Sequence, residues 1–257
     1  MKRIIANVIS NCEIIPGIFL AWIKTPQIAS IAQPGQFIMV SCGKETFLRR
    51  PLSIHQINGD KTSIAILFQR IGRGTHWLSN CKPDDKLDIL GPLGNGFYIN
   101  PTSSNLLLVG GGIGVAPLPF LAQIAIEMKY SVTMLLGATT AAQLYPHHLL
   151  PSAIDCVITT DDGTSGEKGF ITNLLPKFLD WADQIFACGP SSMYKALNNL
   201  SVIMVKPVQI SLETRMGCGF GLCYGCTIKT RVGLKQICKN GPVFELDEIL
   251  WDEFVDI

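Results

Sequence analysis

Residues 106–126 read LLLVGGGIGVAPLPFLAQIAI, an uncharged run apolar enough to pass for a membrane helix on hydropathy alone. Four glycines interrupt it (Gly110, Gly111, Gly112 and Gly114), and Pro117 and Pro119 come after them. Those residues break a single helix. They suit a buried strand at Leu106–Val109, a tight glycine turn, and a helix over Ala116–Met128. The later segments keep the alternation, with strands at Ser131–Leu136, Cys156–Thr160 and Gln184–Cys188. A short helix is expected at Phe170–Leu175 and another near Ser191–Leu200. Alternation of this kind is the signature of an α/β domain with a parallel sheet.

Upstream the pattern is different. Pro34-Gly35 signals a turn, and Gln36–Cys42 (QFIMVSC) after it reads as a mostly buried strand. Thr62–Phe68 and Lys86–Leu90 are further strands, and Glu45–Leu48 is strand-like. Gly91-Pro92 and Gly94-Asn95-Gly96 punctuate the chain after the last of these strands. Short strands at this spacing predict a small barrel. After Pro207 comes a third region, short and rich in cysteine and glycine.

Composition narrows the function. The chain has 257 residues, 47% of them hydrophobic and 16% charged, and such a chain buries enough apolar surface to offset its ordering entropy. The net charge of +1 leaves no basic excess for a nucleic-acid backbone. The low charge suggests a surface covered by a partner. Asn7, Asn11 and Glu13 interrupt the N-terminal segment, which does not read as a signal peptide. A cytoplasmic location with reduced thiols is the expectation, and there clustered cysteines read as metal ligands.

Nine cysteines are present. Cys12, Cys42, Cys81, Cys156 and Cys188 are scattered, whereas four crowd together as Cys218-x4-Cys223-x2-Cys226, eleven residues, Cys238. Soft thiolates suit zinc or iron–sulfur chemistry. The C-x4-C-x2-C…C order is the plant-type [2Fe–2S] spacing, whereas zinc sites more often use two C-x2-C pairs and only one is present. The last gap is shorter than in soluble plant-type ferredoxins. Gly217, Gly219, Gly221 and Gly225 interleave with the ligands and let backbone N–H groups turn toward sulfur.

Two further constellations suit anionic dinucleotides. Arg49-Arg50-Pro51-Leu52-Ser53 is either a surface turn with solvated arginines or a fork for a pyrophosphate, and Gly72-Arg73-Gly74-Thr75 opens a helix at His76–Ser79. The run Gly110–Pro117 is not the G-x-G-x-x-G fingerprint, yet a glycine turn between strand and helix allows close approach of a phosphate or nicotinamide. Asp161-Asp162-Gly163 lies past a strand end, where a carboxylate can bond a ribose hydroxyl. The turn at Gly137–Thr140 carries no arginine or lysine for a 2′-phosphate. Both favour NAD over NADP. Cys188-Gly189-Pro190 ends another strand. The four histidines (His55, His76, His147, His148) read as peripheral, and no catalytic residue is nominated.

Together RPLS at 50–53, GRGT at 72–75, GPLGNGF at 91–97, GGGIGVAP at 110–117, DDGTSGEKG at 161–169, CGP at 188–190 and the four cysteines resemble the ferredoxin-reductase superfamily. More closely, the whole chain, including CKNGPVFELDEILW at 238–251, is similar to the electron-transfer subunits of type B dihydroorotate dehydrogenase. That resemblance implies an FAD-binding β-barrel over residues 1–100, an NAD-binding α/β domain with a parallel sheet over 101–207, and a small 2Fe–2S subdomain over 208–257. It implies FAD contacts from Arg50, Pro51, Leu52 and Ser53, from Leu67, Phe68 and Gln69, and from Gly74 and Thr75. The nicotinamide nucleotide falls to Gly111, Gly112, Asp161 and Cys188, the last facing the nicotinamide or simply buried. The cluster falls to Cys218, Cys223, Cys226 and Cys238. Two departures stand out: the superfamily usually has an aromatic where Leu52 stands, and its nearer members a Tyr-Arg pair where Phe68-Gln69 stands, so Arg70 or Arg73 is the alternative basic contact.

A flavin converts between paired and single electrons, so FAD, a 2Fe–2S cluster and NAD on one chain make a converter between two- and one-electron carriers. No segment remains for oxidising a carbon substrate. The resemblance supplies the missing part: an FMN-containing catalytic subunit that oxidises dihydroorotate in pyrimidine biosynthesis, two of each subunit forming a heterotetramer. Phe220, Leu222 and Tyr224 beside the ligands are candidate contacts for it. The alternative is the electron-transfer subunit of an NAD(P)H:ferredoxin oxidoreductase or a sulfhydrogenase.

Overall fold

The computed structural model describes residues 1–201 and 206–254. Its first six strands are β1 (Lys2–Ile15), β2 (Ile18–Lys24), β3 (Phe37–Val40), β4 (Arg50–Ile57), β5 (Ser63–Gln69) and β6 (Lys86–Leu93). They close as a barrel in the order β1-β2-β5-β4-β3-β6, every pair antiparallel. Closure gives each strand a neighbour on both sides. Along β6 every second residue is buried, the period expected when one face lines an interior. In β5 every residue from Ser63 to Phe68 is buried. Ile64, Ile66 and Phe68 face the barrel core, whereas Ala65 and Leu67 join a second core shared with the α/β domain. Two short helices, α1 (Pro26–Ala29) and α2 (Arg73–Ser79), complete this part.

The segment expected to be a strand at Glu45–Leu48 is a loop. Gly43 turns with φ +77, and Phe47 stands 99% exposed. The pairing strand begins instead at Arg50, so the RPLS motif lies on β4 and not in a turn.

The glycine run does what its composition dictates. β7 (Asn105–Gly111) leads through a 3-10 turn at Gly112–Val115 into α3 (Leu118–Glu127), later than expected because Pro117 and Pro119 occupy its start. β8 (Ser131–Ala138), β9 (Asp155–Thr160), β10 (Glu167–Lys168), β11 (Gln184–Cys188), α4 (Ser191–Ser201) and β12 (Val208–Ser211) come next. The helix expected at Phe170–Leu175 is two 3-10 turns, Ile171–Asn173 and Leu175–Phe178. Pro176 lacks the N–H that an α-helix would need there. Among the described residues no helix is long and apolar enough to cross a membrane.

Beyond β12 the chain forms a hairpin, β13 (Thr227–Thr230) and β14 (Gly233–Gln236), a short α5 (Ile237–Asn240), and β15 (Val243–Glu245). β15 returns to pair antiparallel with β12, giving a seven-stranded sheet in the order β10-β9-β8-β7-β11-β12-β15. Phe244, Leu246, Ile249 and Trp251 therefore share one core with Leu107 and Val109 of the sheet and with Phe37 and Met39 of the barrel. The cysteine region is built onto both larger parts.

His55 is fully buried on β4 where barrel and sheet meet, which corrects the peripheral reading. Its Nδ1 lies 2.7 Å from the Ala116 carbonyl and its Nε2 2.9 Å from the Tyr145 hydroxyl. A carbonyl only accepts, so Nδ1 carries the proton and Nε2 accepts from Tyr145. Burial pushes the imidazolium down to about 4, and the Ala116 carbonyl offsets this only in part. The unfolded chain takes up that proton near pH 6.5 and the folded chain does not. Stability from this residue is thus fully present above the unfolded value and is lost as pH falls. Between pH 7 and 4.5 the loss amounts to roughly 2–3 kcal/mol. Denaturant titrations at the two pH values should show this loss in the natural chain and most of it gone in His55→Gln.

Candidate functional site

β4 and β5 part company at Arg50-Pro51-Leu52-Ser53. Their last pairs are Ile57↔Ile64, Gln56↔Ala65 and Ile54↔Ile66, with an irregularity between Ile54 and Gln56. Beyond Ile54, Arg50–Ser53 pair only with β3, while Leu67–Gln69 pair with β2. The strands diverge, and the first turn of α2 stands at the opening. A Cβ on Gly74 would come within 2.8 Å of the Arg50 guanidinium Nε, so a side chain there would have to displace that arginine. The Thr75 hydroxyl accepts from the N–H groups of Ile71 and Gly72 at 3.0 and 3.1 Å and donates to the Gly72 carbonyl, which fixes the turn. Pro51, Leu52 and Ser53 line a cavity of about 80 Å³ whose other wall includes Leu212 and Glu213.

The arginine pair divides. Arg49 donates to the Asp88 carbonyl and carboxylate, both at 2.7 Å. Asp88 is also held by Arg3, and these bonds, that from Arg3 first, keep its carboxyl below the usual range. Arg49 is committed to the barrel wall, which leaves Arg50, bonded to the Leu48 carbonyl at 2.7 Å, as the arginine beside α2. Phe68 is buried and stacks on Phe19 at 5.7 Å, so only its backbone can reach a ligand; Gln69 is exposed. Arg70 lies over the Phe19 ring at 5.3 Å and 3.9 Å from Glu13, while Arg73 opens α2 in solvent.

A second cavity, about 720 Å³, runs across the C-terminal ends of β9, β8, β7, β11 and β12, and its lining includes Gly111, Gly112, Asp161 and Cys188. Ligands of open α/β sheets bind at such strand ends. Gly112 adopts φ +55, and a Cβ there would meet nothing within 4 Å. It faces the cavity, a cradle that a side chain would fill. Asp161 and Glu213 are the charged residues of the lining, which suits a free ribose hydroxyl and opposes a 2′-phosphate. Cys188 is buried and donates to the Ser211 carbonyl at 3.5 Å. Burial, and then the Glu213 carboxyl, push its thiol up, so it presents a neutral group. The Tyr194 hydroxyl ties the turn after β11 to the end of β12, accepting from the Gly189 N–H at 3.0 Å and donating to the Ser211 carbonyl at 2.7 Å.

Leu212 and Glu213 line both cavities. Glu213 is open to solvent through them yet ringed by protein, and that enclosure raises its pKa. The sequence reading missed Glu213 and Tyr194. The signal for Glu213 was its place just past a parallel strand end, the same signal that singled out Asp161.

The four clustered cysteines come together. Leu222 and Cys223 direct their N–H groups at the Cys218 sulfur, 3.2 and 3.5 Å away; Gly221 directs its own at Cys238, 3.2 Å, and Cys238 at Cys226, 3.4 Å. Although desolvation opposes it, N–H donation from Phe220, Cys223 and Leu222 draws the Cys218 thiol down to about 6, and its side chain also bonds Cys223. Cys238 is pushed up to about 12 by burial and by its bond with Cys226. The thiols thus form two pairs, Cys218 with Cys223 and Cys226 with Cys238. Among the described residues no three Cys, His, Asp or Glu side chains are grouped to hold a single metal ion. A two-iron cluster takes two thiolates on each iron, and paired soft donors fringed by N–H groups fit that demand.

Residues 213–250 match the family model for the iron–sulfur cluster binding domain of dihydroorotate dehydrogenase B. A protein of Desulforamulus reducens, the electron transfer subunit of dihydroorotate dehydrogenase B (NAD(+)), is 37% identical over 96% of this chain and 98% of its own. The chain belongs to this family. A member from Bacillus velezensis is 36% identical over 97% of this chain and 99% of its own length. Of the solved structures, the NADH-dependent reduced ferredoxin-NADP oxidoreductase is similar with a TM-score of 0.88 and 30% identity, over 97% of this chain and 91% of that one. The matched stretch opens at Glu213, the residue that walls both cavities, and spans all four cysteines.

Proposed function

We propose that this chain carries electrons from a dihydroorotate-oxidising partner through a 2Fe–2S cluster and FAD to NAD+, in pyrimidine biosynthesis. The observation that carries the reading is the shared wall: the cavity beside Pro51–Ser53 and the cavity at the sheet's strand ends both end on Leu212 and Glu213. Cys218 lies five residues on. When bound, the flavin supplies the change between single electrons and hydride. The chain's own residues hold the carriers in order. Arg50 and the first turn of α2 take the pyrophosphate of FAD, with Pro51, Leu52 and Ser53 along the ring and the backbone of Leu67–Gln69 opposite. Gly111 and Gly112 admit the nicotinamide nucleotide, Asp161 bonds its ribose, and Cys188 faces the nicotinamide as a neutral thiol. Cys218, Cys223, Cys226 and Cys238 hold the cluster.

The reading divides the chain into a flavin part (1–100), a nucleotide part (101–207) and a cluster part (208–257). The partner is an FMN-containing catalytic subunit in a heterotetramer of two and two. Leu222 and Tyr224, each 70% exposed beside the ligands, support docking next to the cluster. That none of the nine cysteines is bridged to another supports a reducing, cytoplasmic setting. Co-expression with a dihydroorotate dehydrogenase catalytic subunit should give a complex, sized by light scattering, that reduces NAD+ when given dihydroorotate. The likeness to the ferredoxin-NADP oxidoreductase structure carries one other reading, in which the electrons come from ferredoxin. NAD+ reduction by reduced ferredoxin, with none from dihydroorotate, would select it.

A further inference from the structure

The order of strand ends gives the large cavity a direction. From one side to the other it crosses the ends of β9, β8, β7, β11 and β12, about 19 Å at ~4.8 Å per strand, a span suited to an extended dinucleotide. The end at β12 is the one that meets the flavin strand through Leu212 and Glu213. If NAD exchanges hydride with a flavin there, its nicotinamide lies at β11 and β12 and its adenosine at β8 and β9. Phe170 is at that far end. It lines the cavity with 66% of its surface exposed. Its backbone is pinned on both sides. The Gly169 N–H bonds the Thr160 carbonyl at 2.9 Å, which sets Phe170 beside Asp161, while Ile171 packs so closely on Gly137 that a Cβ there would stand 2.9 Å away. Asp161 is fixed in turn by its N–H to the Ala138 carbonyl at 3.1 Å.

We infer that Phe170 is the platform on which the adenine ring of the dinucleotide stacks, with the Asp161 carboxylate beside it on the adenosine ribose. This rests on the large cavity being the NAD site, and adds which end of NAD lies where and what holds the base. A flat apolar face held open in a cavity is what a purine needs; every base has a π-face, and stacking asks for no hydrogen-bond code. Tyr194 and Phe254, the other aromatic residues of the lining, are packed against Trp251, so affinity for the adenosine half resides in Phe170 and hydride exchange resides elsewhere.

The test uses the flavin-loaded complex and calorimetric titration with three probes: NADH, reduced nicotinamide mononucleotide, which lacks the adenosine, and AMP, which lacks the nicotinamide. Phe170→Ala should weaken NADH about 10- to 100-fold, the scale of one base–aromatic stack, and AMP by the same factor. The mononucleotide should stay within about twofold, and Phe170→Trp should keep NADH within about threefold of the natural chain. Equal weakening of NADH and the mononucleotide would show a general loosening of the cavity and overturn the assignment. So would unchanged NADH binding in Phe170→Ala, which would leave the ring to a protein contact. Failure of the natural chain to bind either nicotinamide probe would overturn the NAD reading itself, a result separable from both.

Discussion

Cys223→Ser should abolish dihydroorotate-driven NAD+ reduction while sparing NADH oxidation by an artificial flavin oxidant. Cys223 is exposed on the loop, its sulfur 3.1 Å from where a Gly217 Cβ would stand, and its thiol pairs with Cys218, the sulfur to which the loop directs its N–H groups. A serine hydroxyl is a hard donor that ionises far less readily, and a soft iron–sulfur group loses one of two donors on that iron. Losing a first ligand costs more than the 10- to 100-fold typical of outer contacts, so the partner-linked reaction should fall by at least about 10²-fold. On the proposed route NADH oxidation uses only the flavin and nucleotide sites, on the barrel and the sheet. It should stay within about twofold, as expected for independent sites. Iron and sulfide content, flavin content and the two rates measured on one preparation separate the outcomes. Cys12→Ser, at an exposed cysteine on β1, should change none of them. Loss of flavin reduction by NADH along with the cluster would mean that the three carriers do not stand in the order nicotinamide, flavin, cluster.

What the sequence made legible depended on whether local chemistry or distant pairing set the feature. The strand, glycine turn and helix at 105–127 arise from glycine and proline, which act on their own neighbours, and the cysteine spacing is equally local. The barrel was legible as short strands, but its closure, and the divergence of β4 from β5 beyond Ile54, arise from register with β2 and β3. Arg49 and Arg50 look alike in sequence. Only the pairing of β3 with both β4 and β6, which brings Arg49 to Asp88, assigns Arg49 to the wall. His55 belongs to a pattern-free position on β4 and is buried only because the α/β domain covers it. β15 reads as a short apolar run near the chain's end; that it completes the sheet, and so fixes the cluster loop against β12, comes from a pairing across more than thirty intervening residues. Glu213 has neither a motif nor a periodic pattern, and becomes visible once β12 is known to be the strand that ends between the cavities.

Gly114→Ala should cost more nucleotide binding than any other single methyl group in the site. The missing side chain of Gly114 is the space in which the turn after β7 meets the end of β11. A Cβ there would press on the Cys188 carbonyl oxygen and stand 2.6 Å from both its carbon and the Gly189 Cα. All three are backbone atoms of the turn that carries Cys188 and that Tyr194 ties to Ser211, so no side-chain rotation can relieve the overlap. The two turns must move apart by close to 1 Å to reach ordinary contact, and a 1 Å misplacement of reacting groups costs about 10²-fold in rate. The expected result is a fall of about that size in kcat/KM for NADH oxidation, expressed in kcat as well as KM because the nicotinamide's distance from the flavin changes with its affinity. Gly112→Ala is the informative contrast. Its Cβ would meet no protein atom within 4 Å, but its φ of +55 disfavours any side chain, and the methyl would project into the cavity. It should therefore raise KM chiefly, with stability falling by about 1 kcal/mol. Stopped-flow reduction of the flavin by NADH reads both effects directly. If Gly114→Ala reduced flavin at the natural rate, the close packing of these two strand ends would have no part in aligning the nicotinamide.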